Sequence, residues 1–255
     1  MKNYHAHTPR CNHAYGKEEE YIEAAIKAGY KELGFSDHTP WPNCPKNIAS
    51  SRMKLSQLED YVETVNRLKE KYKDQISIKL GLEVEYFPQH MEWVKQIIKQ
   101  YKLDYIILGN HFHLDGVVNK YYGSPIGPED LINYVNDAIA AFKTGLYAYL
   151  AHPDLPNIPT YHPQYKVQMR RLCESAKAYN IPLEFNMLGY TTNRQYPNDT
   201  FFNIACEVGN TVIIGVDAHE PASLLDVSNF KKALHELHEM GLKTIDTIPF
   251  FKHDS

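Results

Sequence analysis

Residues 1–16 read MKNYHAHTPRCNHAYG, and three histidines, His5, His7 and His13, fall within nine positions of this stretch. On an extended strand, residues two positions apart point to the same face. His5 and His7 therefore present two imidazoles side by side, the arrangement that two ligands of one metal ion require. A single His-x-His pair is also common on protein surfaces, so a metal-site interpretation depends on further ligands at equivalent places.

The remainder of the chain alternates short apolar segments with longer amphipathic ones, a pattern of repeated strand–helix units. Strands are predicted at residues 2–7, 32–37, 76–84, 104–110, 148–151, 182–185 and 211–216, with a short eighth at 243–248. Helices are predicted at residues 17–29, 55–72, 88–101, 128–145, 165–180, 199–209 and 227–241. Repeats of this kind favour a parallel sheet, either closed into a barrel or open and doubly wound.

Polar side chains of the metal-ligand type stand at or just beyond the ends of nearly all these strands. They are His5, His7, His38, Glu83, His111, His152, Asp217 and His219. A closed barrel brings the carboxyl ends of its strands to one mouth, whereas an open sheet spreads them along a crevice. We therefore predict a single domain over residues 1–255, an α/β barrel of seven or eight strands with the site at its C-terminal mouth.

The donor types of this set indicate a metal centre. Mixed imidazole and carboxylate ligands suit zinc, manganese and iron, and the lack of thiolates argues against a structural zinc site. With His13 the set holds nine groups, more than one ion takes, so two or three divalent ions are expected. Glu83 and Glu85 share one face of a predicted strand, where buried charge requires a partner. A salt bridge and a metal ligand both remain open for this pair.

The composition limits the classes of function. A net charge of −4 and a pI near 6.3 provide no electrostatic footprint for nucleic acid. No apolar run reaches the ~18 residues of a membrane-spanning helix, and the N-terminal stretch lacks the apolar region of a signal peptide. Cys11, Cys44, Cys173 and Cys206 are scattered and are interpreted as reduced thiols. We expect a cytoplasmic protein without nucleic-acid or membrane partners, and the sequence leaves its oligomeric state open.

Taken in order, the strand-end motifs resemble those of the polymerase and histidinol phosphatase (PHP) superfamily. They are His5-Ala-His7, His13, Ser-Asp-His38, Gly-Leu-Glu83, Asn-His111, Ala-His152-Pro and Val-Asp217-Ala-His219. The resemblance covers residues 5–219. It implies a distorted (β/α)7 barrel, similar to a TIM barrel, with a trinuclear metal centre that hydrolyses phosphate monoesters.

The same resemblance implies how the ligands are shared among the ions. One ion takes His5, His7, Glu83 and Asp217, with Glu83 bridging to a second ion held by His111 and His152. The third ion takes His13, His38 and His219.

Within the superfamily, residues 81–88 (GLEVEYFP) and 183–186 (LEFN), followed by Arg194, look like the histidinol-phosphatase branch. The expected reaction is therefore hydrolysis of L-histidinol phosphate to L-histidinol and phosphate, a step of histidine biosynthesis. Two departures from the branch, Asn110 in place of the usual serine and the segment 187–193, concern substrate recognition more than the metals.

The expected chemistry is attack of a metal-bound hydroxide on phosphorus, because clustered divalent ions lower the pKa of bound water. In this hypothesis Asp217 and His219 bind metal and also relay protons. His113 is a candidate to protonate the leaving alkoxide, and the sequence shows no dedicated general acid.

Two arginines and one glutamate are candidates for substrate contacts. Arg194 is the first choice for a phosphate clamp, because guanidinium offers bidentate donors to phosphate, and Arg52 is the second. Glu184 either meets the ammonium group of the substrate or pairs with a lysine inside the barrel.

Two other classes of function remain open. A phosphodiesterase or nucleotide-hydrolysing member of the superfamily would need a basic, aromatic groove, which the acidic balance disfavours although nineteen tyrosines are available. A non-catalytic metal-binding barrel would be expected to lose part of the ligand set, and this chain retains it. Metal content and phosphate release from a monoester and a diester distinguish the three.

Overall fold

The computed structural model describes residues 1–43, 46–114 and 119–253, so Cys44 lies outside the described residues. The chain divides into two compact units. The first comprises Met1–Ile107, Gly215–Ser228 and Asp246–Ser255, and the second comprises Leu108–Ile214 and Asn229–Ile245. The single domain over residues 1–255 stays a prediction.

The first unit is built on a four-stranded sheet in the order β1-β2-β3-β4. The strands are β1 (Lys2–Asn3), β2 (Glu32–His38), β3 (Ser77–Val84) and β4 (Tyr105–Leu108). The β1–β2 and β2–β3 pairs are parallel, and the last register pair of β2 and β3 joins His38 to Glu83. All residues of β2 are buried, which is typical of a parallel strand covered on both faces.

One tyrosine fills the space that two glycines leave in this sheet. A Cβ atom on Gly34 would lie 2.2 Å from the Tyr105 hydroxyl oxygen, and one on Gly81 would lie 2.5 Å from Tyr105 Cζ. The Tyr105 hydroxyl donates a 2.7 Å hydrogen bond to the backbone oxygen of Tyr4. The buried ring therefore fixes the spacing of the strands whose ends carry the candidate ligands.

The helices of the first unit are α1 (Glu18–Ala28), α2 (Lys46–Ala49), α3 (Leu58–Lys71) and α4 (Met91–Gln100). Helix α1 begins with three glutamates, whose charge suits the positive end of the helix dipole. It ends at Gly29, whose φ of 84° is a left-handed conformation that glycine adopts without strain. These local signals explain why the predicted range, 17–29, agrees closely with the observed helix.

The second unit combines packed helices with a sheet in which two strands pair in parallel. Its helices are α5 (Pro128–Phe142), α6 (Pro163–Ala178), α7 (Met187–Thr191), α8 (Asp199–Val208) and α9 (Val227–Glu239). Its strands are β5 (Phe112–Leu114), β6 (Asn119–Tyr121), β7 (Leu183–Asn186), β8 (Thr211–Gly215) and β9 (Lys243–Ile245). The main sheet has the order β7-β8-β9, and α6 packs against both α5 and α8.

Two predicted strands, 2–7 and 148–151, are almost entirely lost in the structure. The strand predicted at 2–7 is reduced to β1 and one bridge at Ala6, because the Asn3 side chain takes over the next backbone bonds: it donates to His5 O at 3.0 Å and accepts from Val216 N at 2.8 Å. The segment 148–151 forms only isolated bridges from Leu150 to Leu108 and Leu183.

Four observed elements, α2, β5, β6 and α7, were not predicted. Strands β5 and β6 form an antiparallel pair, and the Asp-Gly dipeptide at 115–116 is a hairpin signal in the sequence that the periodicity analysis missed. The short helix α7 follows β7 directly and is capped by Asn186, whose side-chain oxygen accepts from Gly189 N at 3.0 Å. The α/β class with parallel strands is confirmed, and the seven-stranded closure stays a prediction. Among the described residues, no helix combines the length and apolar character needed to cross a membrane.

Candidate metal centre

The first unit gathers histidines and carboxylates from three strand ends into one buried cluster. His5 Nε2 lies 3.6 Å from Glu83 Oε1 and 3.4 Å from Asp217 Oδ1. His7 Nε2 lies 3.1 Å from the same Asp217 oxygen and 3.7 Å from Glu83 Oε2. All four side chains are buried. The four residues that the PHP resemblance assigned to one ion thus lie together, with each imidazole within 3.7 Å of both carboxylates.

A single parallel bridge explains how the two chain segments meet. Ala6 pairs with Ala218: His7 N donates to Ala218 O at 2.9 Å, and Ala218 N donates to His5 O at 3.1 Å. His5 and His7, on either side of Ala6, then point to the same face, because side chains alternate along extended backbone. The bridge also brings Asp217, the neighbour of Ala218, beside these two histidines.

The backbone at Asp217 supports a functional interpretation of this cluster. Its φ is 53°, in the left-handed region that non-glycine residues occupy at a cost of about 1–3 kcal/mol. Such conformations concentrate at functional sites, where the surrounding structure holds them in place.

Donor spacing and chemistry fit a divalent ion. Zinc binds imidazole nitrogen and carboxylate oxygen at about 2.0–2.2 Å, so two ligands of a tetrahedral ion lie about 3.4 Å apart. The separations in the cluster are 3.1 to 3.7 Å, and donor atoms of His5, His7 and Glu83 all lie within 4.8 Å of one another. A cation would also compensate the negative charge of the two carboxylates, because buried charge is costly unless it is paired or bound to metal.

Three further histidines extend the cluster toward solvent. His38 Nδ1 lies 2.9 Å from Glu83 Oε2, and His219 Nε2 lies 3.0 Å from His13 Nε2. The rings of His38 and His219 are 4.4 and 4.2 Å from that of His7. Two imidazole nitrogens at 3.0 Å share either a proton or a metal ion, so His13 and His219 are placed as ligands of one ion would be.

The electrostatics of the cluster favour charged carboxylates beside imidazoles. Burial acts to raise the pKa of Asp217, but the charges of His5 and His219 and the contact with His7 outweigh it and hold the pKa well below its usual value. Burial acts to lower the pKa of His7, but the carboxylates of Asp217 and Asp37 raise it to about 9. Burial and the nearby charge of His7 lower the pKa of His219 to about 3.

Sequence reasoning missed Asp37, which orients a candidate ligand. Its buried carboxylate accepts hydrogen bonds from Thr8 Oγ1, from Thr8 N at 3.3 Å and from His38 N at 2.8 Å, and it lies 3.5 Å from His7 Nδ1. Metal-binding histidines commonly have a carboxylate at the second ring nitrogen. The available signal was the acidic residue directly before His38 at the end of a predicted strand.

The second unit contains two of the predicted ligands, His111 and His152. His111 Nε2 lies 3.2 Å from His152 Nε2, and both side chains are buried. The backbone of His152 has a φ of 30° and donates its N–H to Glu184 Oε2 at 2.9 Å. Glu184 also accepts from Asn186 Nδ2 at 2.8 Å. Glu184 thus helps to hold the His152 backbone, and its predicted contact with substrate stays a prediction.

The two predicted arginines have different surroundings. The Arg52 side chain is 2% exposed, and its guanidinium donates to both carboxylate oxygens of Glu85, at 2.7 and 3.0 Å, and to Thr39 O. Trp41 Nε1 donates to the same carboxylate at 2.8 Å. The guanidinium thus forms an internal ion pair with Glu85, and the predicted contact of Arg52 with substrate stays a prediction. Arg194 is exposed, and its Nη1 donates to the Tyr196 hydroxyl at 2.9 Å.

The predicted proton donor, His113, is part of a polar group on the second unit. Its Nδ1 lies 2.8 Å from Asp137 Oδ2, an oxygen that also accepts from the Tyr122 hydroxyl at 2.9 Å. Burial raises the pKa of Asp137, although the contact with His113 opposes this effect. The imidazole is 30% exposed, so the Asp137 carboxylate fixes one ring nitrogen and leaves the ring partly accessible.

Comparison with known proteins agrees with these observations. The PHP domain family matches residues 3–187, so the chain belongs to the PHP domain family, as predicted. A probable histidinol-phosphatase of Deinococcus radiodurans is 29% identical over 248 residues, which cover 94% of each chain. The histidinol-phosphatase of Bacillus subtilis is 34% identical over 114 residues, 42% of each chain.

The fold is also shared with a solved structure. The histidinol phosphate phosphatase of Lactococcus lactis, complexed with zinc, L-histidinol and phosphate, superposes with a TM-score of 0.73 at 19% identity and covers 98% of each chain. At this identity the likeness concerns the fold alone.

Proposed function

We propose that this protein is a metal-dependent phosphomonoesterase and that L-histidinol phosphate is its substrate. The observation that carries the proposal is the buried cluster of His5, His7, Glu83 and Asp217, whose donor separations of 3.1 to 3.7 Å suit a divalent ion. Full-length similarity to a probable histidinol-phosphatase supports the choice of substrate.

We further propose two or three divalent ions, of zinc, manganese or iron, held in the groupings that the family resemblance implies. The first comprises His5, His7, Glu83 and Asp217, the second adds His111 and His152 through a bridging Glu83, and the third comprises His13, His38 and His219. When bound, such ions supply Lewis acidity toward phosphate oxygens and a nucleophilic water. The distorted (β/α)7 barrel, with the metal site at its C-terminal mouth, belongs to this proposal.

The protein's own side chains bind the ester and manage its protons in this proposal. Arg194 binds phosphate oxygens through its guanidinium. His113 offers Nε2 as the proton donor to the leaving oxygen, because Asp137 holds Nδ1. Asp217 and His219 keep the ligand geometry and relay protons, and Glu184 is proposed near the ammonium group of the substrate.

We also propose that the enzyme is cytoplasmic and that it acts on a small phosphorylated metabolite. The four scattered cysteines and the net charge of −4 support this part. The proposal includes no nucleic-acid or membrane partner.

The test is a substrate screen on the purified, metal-loaded protein. We expect phosphate release from histidinol phosphate to exceed that from other phosphomonoesters when zinc or manganese is added, and bound metal of two to three equivalents. Bis-p-nitrophenyl phosphate serves as the diester control, and His235→Ala, which changes an exposed histidine on α9, serves as the variant control. Preferential hydrolysis of the diester, or metal binding without any turnover, would contradict the proposal.

A further inference from the structure

Tyr196 connects the proposed phosphate-binding arginine to one of the candidate metal ligands. Its side chain is 2% exposed, and its ring centroid lies 5.8 Å from that of His152. Its hydroxyl accepts the 2.9 Å hydrogen bond from Arg194 Nη1, and Arg194 Cζ lies 6.0 Å from the ring centroid. The three residues all belong to the second unit, so their arrangement is a property of that unit.

The Tyr196 ring is held in place by a close approach to Gly189. A Cβ atom on Gly189 would lie 2.2 Å from Tyr196 O and 2.5 Å from Tyr196 Cδ2. Arg194 N also donates to Gly189 O at 3.0 Å. Because Gly189 has no side chain, the Tyr196 ring can pack directly against it. The turn that carries Arg194 is hydrogen-bonded to the same glycine.

The chain around Tyr196 is anchored beside His152 by polar bonds. The buried carboxylate of Asp154 accepts from Asn198 N at 2.7 Å and from Asn198 Nδ2 at 3.1 Å. Gln195 Nε2 donates to Leu155 O at 2.8 Å. These bonds tie residues 195–198 to the segment that directly follows His152, so Tyr196 has little freedom to move away from it.

We infer that Tyr196 is a positioning residue that holds the Arg194 guanidinium at the His152 end of the second unit, where it binds the phosphoryl group of the substrate. An exposed arginine otherwise samples many rotamers, and the entropy lost in ordering it weakens binding. A hydrogen bond from a buried, anchored hydroxyl lowers that loss before the substrate arrives. The inference rests on the proposed phosphomonoesterase function and adds the residue that orients its phosphate clamp.

The experiment is Tyr196→Phe in the metal-loaded enzyme, which removes the hydroxyl and keeps the ring against His152. We expect KM for p-nitrophenyl phosphate and the inhibition constant of inorganic phosphate to rise together by about fivefold, the order expected for loss of one ordinary hydrogen bond. We expect kcat and metal content to remain within about twofold, because the ring and the candidate ligands are unchanged. Tyr161→Phe, at a side chain that is 88% exposed, is the matched control and should change neither constant.

A double-mutant cycle separates positioning from simple packing. In the Arg194→Ala background, Tyr196→Phe should cause no further change, because the hydroxyl acts through the guanidinium. An unchanged KM and inhibition constant in the single variant, or an equal loss in both backgrounds, would overturn the inference.

Failure of the proposed function is distinguishable from failure of this inference. If the wild type hydrolyses no monoester, the proposed activity is wrong, and calorimetric titration of zinc-loaded protein with inorganic phosphate still tests Tyr196. Weaker phosphate binding in Tyr196→Phe than in the wild type supports the inference, whereas equal binding, or no binding by the wild type, overturns it.

Discussion

Glu83 and Glu85 stand two positions apart, both side chains are about 1% exposed, and yet they have different partners. Glu83 contacts the imidazoles of His5, His7 and His38. Glu85 binds the guanidinium of Arg52 through both carboxylate oxygens. One buried carboxylate is thus paired with a guanidinium, and the other is surrounded by imidazoles, which are candidate metal ligands. The difference teaches that burial of charge alone does not identify a metal ligand; the nature of the partners does.

The largest expected effect tests the Glu83 side of this comparison. Glu83→Ala or His5→Ala should reduce phosphomonoester hydrolysis by at least about a thousandfold, because either change removes a donor from the proposed metal centre. The far-UV circular dichroism spectrum should stay like that of the wild type. Glu70→Ala, on the exposed face of α3, is the matched control. Turnover close to wild type in either ligand variant would remove the cluster from the active site.

The second prediction concerns the ion pair of Glu85 with Arg52, whose loss should destabilise the protein. Arg52→Met should lower the free energy of unfolding by about 3–5 kcal/mol, because it leaves the buried Glu85 carboxylate without its cation. Urea denaturation measures this change. Lys73→Met removes an exposed partner of Glu70 and should cost less than about 1 kcal/mol. A comparable loss in the two variants would mean that the Arg52 pair is not a buried ion pair in solution.

Metal removal distinguishes the two carboxylates directly. Zinc at about 100 times its dissociation constant should stabilise the wild type by about 2.7 kcal/mol relative to chelator-treated protein, since binding to the folded state adds to its stability. Glu83→Ala should lose most of this stabilisation, while Arg52→Met should keep it. The measurement is unfolding with zinc and with EDTA. Equal zinc stabilisation of Glu83→Ala and the wild type would contradict the proposal that Glu83 is a metal ligand.

The two arginines extend the comparison to the substrate. Arg194→Ala should raise KM for a phosphomonoester by about 10- to 100-fold with little loss of stability, because its guanidinium is exposed and is proposed to bind phosphate. Steady-state kinetics and the unfolding curve together provide the test. Arg171→Ala, at an exposed arginine on α6, is the control. An unchanged KM would exclude Arg194 from the site.

Much of the secondary structure was predictable because its signals are local. Helix α1 has acidic residues at its start and a left-handed glycine at its end, and both are visible in the sequence. Strand β1 was predicted too long because its termination depends on Asn3, which accepts a hydrogen bond from Val216, 213 positions away. The segment 148–151 has strand-like composition, but only Leu150 finds strand partners.

The sequence by itself determined the family, the alternation of strands and helices, and the order of donor residues at the strand ends, because these depend on residue type and spacing. Only the tertiary structure decided that Glu83 contacts histidines and that Glu85 contacts Arg52, because the partners of both carboxylates come from distant parts of the chain. It likewise placed the Asp37 carboxylate beside His7 Nδ1 and the Tyr196 hydroxyl within hydrogen-bond distance of Arg194. Periodicity assigns a side chain to one face of a strand or helix, but only the packed chain determines which residues that face contacts.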